Sequence, residues 1–201
     1  MESTDIEKYA ANMTEIKLRV ALVNVTLAKR PETDFIPMTI EAIGLQFRKV
    51  FELVAFATLA ANRAQYSLVY RDFAEDWQAA KLLKNLQRIN PDFYPKPVTE
   101  KKSDQPGIVS SLSDRDQDYL TQSDLVAAHG RCGGLMHGAN PFGEPIDYGF
   151  YLTNFPIWRT KIMNLLNIHH VHLSGDSGFY LFHMKEEGHN EVRYYRFEPH
   201  Q

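Results

Sequence analysis

From Val50 to Ala61 nearly every residue is apolar, and the run continues a helical spacing that begins at Ile36 (Ile36, Ile40, Ile43, Phe47, Val50, Val54, Leu59). A helix that is apolar on almost every side cannot face water, so it predicts a central helix covered all round by others. That requirement constrains the fold more than anything else in the chain: the body must be a helical bundle. Pro37 suits the first turn of this helix, where a missing backbone N–H costs nothing. Its polar exceptions then stand out. Glu41, Arg48 and Glu52 lie on or near one stripe, and Arg48 and Glu52 are four residues apart.

The partners of the central helix follow from the same periodicity. Ile6, Tyr9, Met13, Ile16, Val20, Val23 and Leu27 make one apolar seam on a long first helix, capped by Thr4 or Asp5 and stopped by Pro31. Asp76 to Ile89 reads as a third helix, with Trp77, Ala80, Leu83 and Leu86 on one face, ended by Asn90-Pro91. Thr121 resembles an N-cap for a fourth, which runs into Gly133-Gly134. A fifth spans about 155–167. Between the third and fourth lies a connector, 91–120, rich in proline, lysine, serine and aspartate; it reads as a surface loop, partly mobile, serving as a lid or a partner contact.

After residue 168 the pattern changes. Residues 171–173, 179–184 and 192–197 are β-rich runs separated by glycine-containing turns, the pattern of a small antiparallel meander. The expected architecture is mainly α: a four-to-five-helix bundle over 1–168 with a loop at 91–120, and a β-rich C-terminal extension over 169–201 packed on it, because three short strands need another surface.

Composition excludes several classes. One cysteine in 201 residues forms no internal disulfide and no cysteine-rich zinc module. With 22 Lys+Arg against 25 Asp+Glu, the net charge of −3 argues against broad, charge-driven nucleic-acid binding. The longest apolar stretch, Leu53 to Ala61, is too short to span a bilayer, and Glu2, Asp5 and Glu7 precede any apolar run, so neither a membrane anchor nor a signal peptide is expected and the cytoplasm is the expected location. No phosphate loop of the Walker type and no dinucleotide fingerprint is present, so no nucleotide-driven or redox cofactor is expected.

The stretch that carries chemistry is Gly130-Arg131-Cys132-Gly133-Gly134-Leu135-Met136-His137-Gly138-Ala139-Asn140-Pro141. An arginine and a histidine stand six positions apart at the end of a predicted helix. On an unbroken helix such positions diverge by about 120°; the glycine pair supplies the break that lets Arg131 and His137 converge. This resembles the Arg-x(4–6)-His motif of the HEPN superfamily (higher eukaryotes and prokaryotes nucleotide-binding domains). The helical body and the polar-in-apolar run Gln46 to Leu53 are similar to uncharacterised prokaryotic members over roughly residues 1–168. One residue departs from that pattern: Cys132 stands where the family commonly has Asn, Asp or His.

The resemblance implies a metal-independent endoribonuclease acting as a homodimer with a composite cleft, in a prokaryotic toxin–antitoxin or phage-defence setting with an antitoxin protein as partner. The residue chemistry is compatible with it. Histidine titrates near neutrality and serves as acid or base, here His137, while a guanidinium, here Arg131, neutralises the phosphate as charge develops. The expected products are 2′,3′-cyclic phosphate ends. Asn140, Arg48, Glu52 and Cys132 are the candidate substrate-binding or supporting residues. Other readings stand beside these: Arg131 and His137 as carbonyl caps at a helix end, Arg48–Glu52 as a self-satisfied pair, Asn140-Pro141 as a structural turn, and Cys132 as a buried thiol. A different class of function is a non-catalytic module binding a nucleotide or a partner.

Two constellations in the tail complete the reading. His169, His170, His172 and His183 invite a metal ion, but no carboxylate sits at a ligand spacing, and no metal is expected. Arg193-Tyr194-Tyr195-Arg196-Phe197 mixes cations and rings, either as a single-strand binding platform or as packing of a small sheet on the bundle.

Overall fold

The computed structural model describes residues 4–29, 35–70, 78–103, 109–138, 140–185 and 190–198. Among them are six α-helices and five strands: α1 (Asp5–Ala28), α2 (Ile36–Ala61), α3 (Arg63–Val69), α4 (Ala79–Ile89), β1 (Lys96–Lys102), β2 (Val109–Asp114), α5 (Gln122–Gly133), α6 (Tyr148–Leu166), β3 (Ile168–Val171), β4 (Phe179–His183) and β5 (Arg193–Phe197). The protein is mainly α with a small antiparallel sheet. Within the described residues no helix is long and apolar enough to cross a membrane.

α2 is the central helix, as its all-round apolarity requires. It packs against α1, α3, α4, α5 and α6, and Phe47, Val50, Phe51, Val54, Ala55 and Ala57 are fully or almost fully buried. Pro37 lies in its first turn. α1 runs antiparallel to it: Arg63, the first residue of α3 just past the end of α2, reaches Asp5 at 2.6 Å, and Arg19 reaches Gln46 at 2.7 Å. Thr4, not Asp5, caps α1, in a capping box with Glu7. An aromatic cluster joins α2 to α6, with Phe47 stacked on Phe155 at 5.1 Å between centroids and edge-on to Trp158 at 5.8 Å.

Three expectations change. First, the connector at 91–120 is not simply a loop. Lys96–Lys102 and Val109–Asp114 pair as an antiparallel hairpin, and β1 also pairs with β3 through Lys96↔His170 and Pro97↔His169. Proline 97 is tolerated because it stands near the start of its strand. The sheet therefore has five strands in the order β2-β1-β3-β4-β5, of which the expected meander is the last three. Second, α6 begins at Tyr148, well before 155, because the Asp147 side chain accepts from Phe150 N–H at 3.0 Å and the helix then passes through Pro156. Third, the first tail strand is Ile168–Val171 and not 171–173. α3 follows α2 after a single residue and carries buried Tyr66, whose hydroxyl accepts from Asn85 of α4 at 3.3 Å. The expected start of the third helix at Asp76 and Trp77, and Pro31, lie outside the described residues.

The sheet docks on the bundle through one face. Tyr9 of α1 donates to His169 Nε2 at 2.9 Å, and its ring lies 4.7 Å from Phe182. The β3–β4 turn is pinned by Asp176, which accepts from Gly178 N–H, the Tyr180 hydroxyl and the Arg196 guanidinium. Arg196 and these other donors hold the Asp176 carboxyl at about 2.

Candidate functional site

α5 positions the motif. Thr121 caps it with a capping box to Asp124, and Lys161 of α6 holds Asp124 at 2.9 Å. Its buried face is Leu125, Ala128 and Cys132. The helix stops at Gly133 and tightens into a 3₁₀ turn, Gly134–Met136, after which His137 is extended, with φ −122° and ψ 147°. The break expected from the glycine pair is therefore present.

Arg131 and His137 are both exposed, one in the last turn of α5 and the other just past the 3₁₀ turn. The Arg131 guanidinium lies over the Phe150 ring, 4.9 Å from its centroid, and its carbonyl accepts from the Tyr151 hydroxyl at 2.9 Å. Cation–π contact and hydrogen bond together fasten this residue to the first turn of α6. Among the described residues, no hydrogen bond or ion pair engages the His137 side chain, and none joins it to Arg131.

Arg48 and Glu52 lie on the α2 side of the same helix end. Arg48 Nε is 3.2 Å from Glu52 Oε1, and the same oxygen accepts from His129 Nε2 at 3.2 Å. His129 is not among the residues that the sequence motif singles out. It sits on α5 next to the buried face, four residues after Leu125, which is the signal that marks it as facing α2. A Cβ on Gly133 would approach Arg48 Nη1 at 3.0 Å, so the guanidinium closes over the end of α5, where positive charge is favoured by the helix dipole. These three side chains clamp α5 to α2.

The remaining candidates separate. Cys132 is fully buried, and burial pushes its thiol up to about 12 against an opposing effect of Arg48, so it is a protonated core residue and contacts no substrate. Asn140 is exposed, but its side chain accepts from Phe142 N–H at 3.0 Å and its carbonyl from Gly143 N–H at 2.9 Å: it builds a turn. Glu41 accepts from the Tyr148 hydroxyl at 3.4 Å. The tail histidines divide between the two faces of the sheet: His169 faces the bundle, while His170, His172 and His183 lie on the other face, His183 buried there against Glu100 at 3.1 Å. Among the described residues no group of three His, Cys, Asp or Glu side chains is placed to hold a metal ion.

Chemically, the end of α5 offers an exposed guanidinium held at its base, an exposed imidazole with its hydrogen-bonding capacity open, and an internal Glu52–His129–Arg48 clamp that fixes the helix end. Such a surface can hold a phosphate and move a proton. Compared with known proteins, the chain matches no family model, no curated protein and no solved structure.

Proposed function

We propose that the chain is a metal-independent endoribonuclease of HEPN-like design, with its site at the broken end of α5. The observation that supports it is the joint exposure of Arg131 and His137 across a helix end terminated by Gly133. In this reading Arg131 neutralises the scissile phosphate, and its contact with Phe150 preorganises the guanidinium. His137 takes the 2′-hydroxyl proton, and the oxygen attacks phosphorus to leave a 2′,3′-cyclic phosphate. The leaving 5′-oxygen needs a second proton carrier, which a homodimer supplies as the other copy's histidine at the same position. Glu52, His129 and Arg48 hold the helix end and do not touch RNA. The setting implied by the resemblance, a toxin or phage-defence effector with an antitoxin partner in the cytoplasm, belongs to the same proposal.

A second reading is a non-catalytic module that binds a nucleotide, RNA or a partner. It draws on the absence of a direct link between Arg131 and His137 and on Cys132, which turns inward in the slot where the family commonly places a polar residue.

The test is RNA cleavage in EDTA by wild type, Arg131→Ala and His137→Ala. Loss of about 100-fold or more in each variant, with the fold intact by circular dichroism, is expected for an acid–base group and its electrostatic partner. Equal cleavage by all three proteins overturns the enzyme reading. Retention of RNA by the wild type without cleavage supports the second.

A further inference from the structure

The sheet has a second face, opposite the one that packs on Tyr9, that the α5 site does not use. Paired residues of an antiparallel sheet lie on one side, so the register identifies its occupants. One row runs Lys96–His170–Leu181–Tyr195, the next Ile168–His183–Arg193, and a third pairs Phe179 with Phe197. The alternate residues His169 and Phe182 point the other way, onto Tyr9.

Rings border this face along β4 and β5, around the buried Leu181 and His183. Phe179 and Phe197 stack at 5.0 Å and 8°. His170 lies 5.4 Å and His172 6.0 Å from Phe179, and His183 meets Tyr195 edge-on at 5.8 Å. Tyr195 and Phe197 remain 40% and 42% exposed. Packing of the sheet against Tyr9 does not account for Tyr195 and Phe197, since strand alternation puts them on the side opposite Phe182.

Cations and carboxylates both border the rings, Asp114 among them near His170. Lys96 and Arg193 stand at opposite ends of neighbouring rows. The carboxylate of Glu100 is already engaged by His183 at 3.1 Å. Lys96 shares a 3.0 Å pair with Asp92, whose side chains are 43% and 74% exposed; such surface pairs are weak, so a phosphate can displace the carboxylate.

We propose that this outer face binds single-stranded nucleic acid, with bases stacked on Tyr195 and on the Phe179–Phe197 pair and phosphates drawn to Arg193 and Lys96. Tyr195 and Phe197 are two positions apart on one strand, about 6.8 Å by strand geometry. That is twice the roughly 3.4 Å rise between neighbouring stacked nucleotides. Bases seat on both rings only when splayed from each other, which a single strand permits and a duplex resists. The proposal does not rest on the cleavage reading, because it involves different elements.

The test uses fluorescence anisotropy with a labelled single-stranded DNA of about 12 nucleotides, comparable to the span that such surfaces cover. A 2′-deoxy strand lacks the nucleophile for cyclic-phosphate cleavage, so binding is read whether or not the α5 site is catalytic. Tyr195→Ala and Phe197→Ala are each expected to weaken binding at least about fivefold, and Tyr195→Phe to stay within about twofold of wild type, since the ring carries the contact. A labelled duplex of the same sequence is expected to bind more weakly. Absence of wild-type binding, unchanged affinity in both alanine variants, or equal affinity for duplex overturns the proposal. Photocrosslinking of an iodouridine-substituted strand to the unaltered protein guards against variants that misfold: crosslinks within 179–197 support the face, and crosslinks confined to 121–142 overturn it.

Discussion

His169 is a titratable side chain turned wholly to structure. It is fully buried, its Nδ1–H donates to the Leu166 carbonyl at 2.8 Å, and its Nε2 accepts from the Tyr9 hydroxyl at 2.9 Å, so both nitrogens are satisfied in the neutral form. Burial lowers its pKa to about 4. The sign follows from linkage: the unfolded state binds the proton near pH 6.5 and the folded state resists it, so stability present above pH 6.5 is lost as pH falls toward 4, by up to about 3 kcal/mol. Urea unfolding at pH 7 and pH 4.5 is expected to show this loss, and a His169→Gln variant a shallower dependence over the same window. Tyr9→Phe leaves the Nε2 acceptor unpaired and is expected to destabilise the protein by about 1–3 kcal/mol at neutral pH. Cys132 is a comparable case. With its thiol buried and held protonated, it is expected to react with a thiol reagent only after denaturant is added; prompt labelling of the native protein contradicts its placement. The sequence showed histidines clustered in the tail and a cysteine beside the key arginine. It did not show that strand alternation turns 169 inward and 170 and 172 outward, because that depends on which face the bundle covers.

At the scale of elements, local signals sufficed where they were self-contained and failed where the partner was distant. The Thr121 cap and the Gly133-Gly134 stop bound α5 without reference to the rest of the chain. The apolar seam of α1 needed only its own spacing. By contrast, the 91–120 segment carries prolines, lysines and serines that suggest a loop, yet it folds as a β1–β2 hairpin that Lys96 and Pro97 join to β3, some 70 residues on in sequence. For α6, the expected start near 155 moves seven residues earlier, to Tyr148 behind the Asp147 cap. Gly178 gives a direct test of how β5 is held. A Cβ there would collide with the Phe197 carbonyl oxygen, a backbone atom that cannot swing aside. Gly178→Ala is therefore expected to destabilise the protein by about 1–3 kcal/mol. Hydrogen exchange should show the loss first in β5 amides while α2 amides keep their protection; uniform loss of protection contradicts a local clash.

For the molecule as a whole, the all-round apolarity of α2 made the bundle legible, and the glycine break made the exposed Arg131–His137 end legible. The clamp that fixes this end was not: Glu52 and His129 are 77 positions apart, and the spacing of His129 from Leu125 tells which way it faces but not that it meets Glu52. Nor did the sequence show that the aromatic tail strand is one edge of a five-stranded sheet. In the proposed function, Arg131 and His137 act on one phosphodiester. A double-mutant cycle in EDTA, following cleavage of a labelled RNA, tests it most directly. If the two residues act as a unit, each alanine variant falls about 100-fold or more and the double variant falls little further, because either loss alone disables the step. Wild-type rates in either single variant, or losses that simply multiply in the double, contradict the claim.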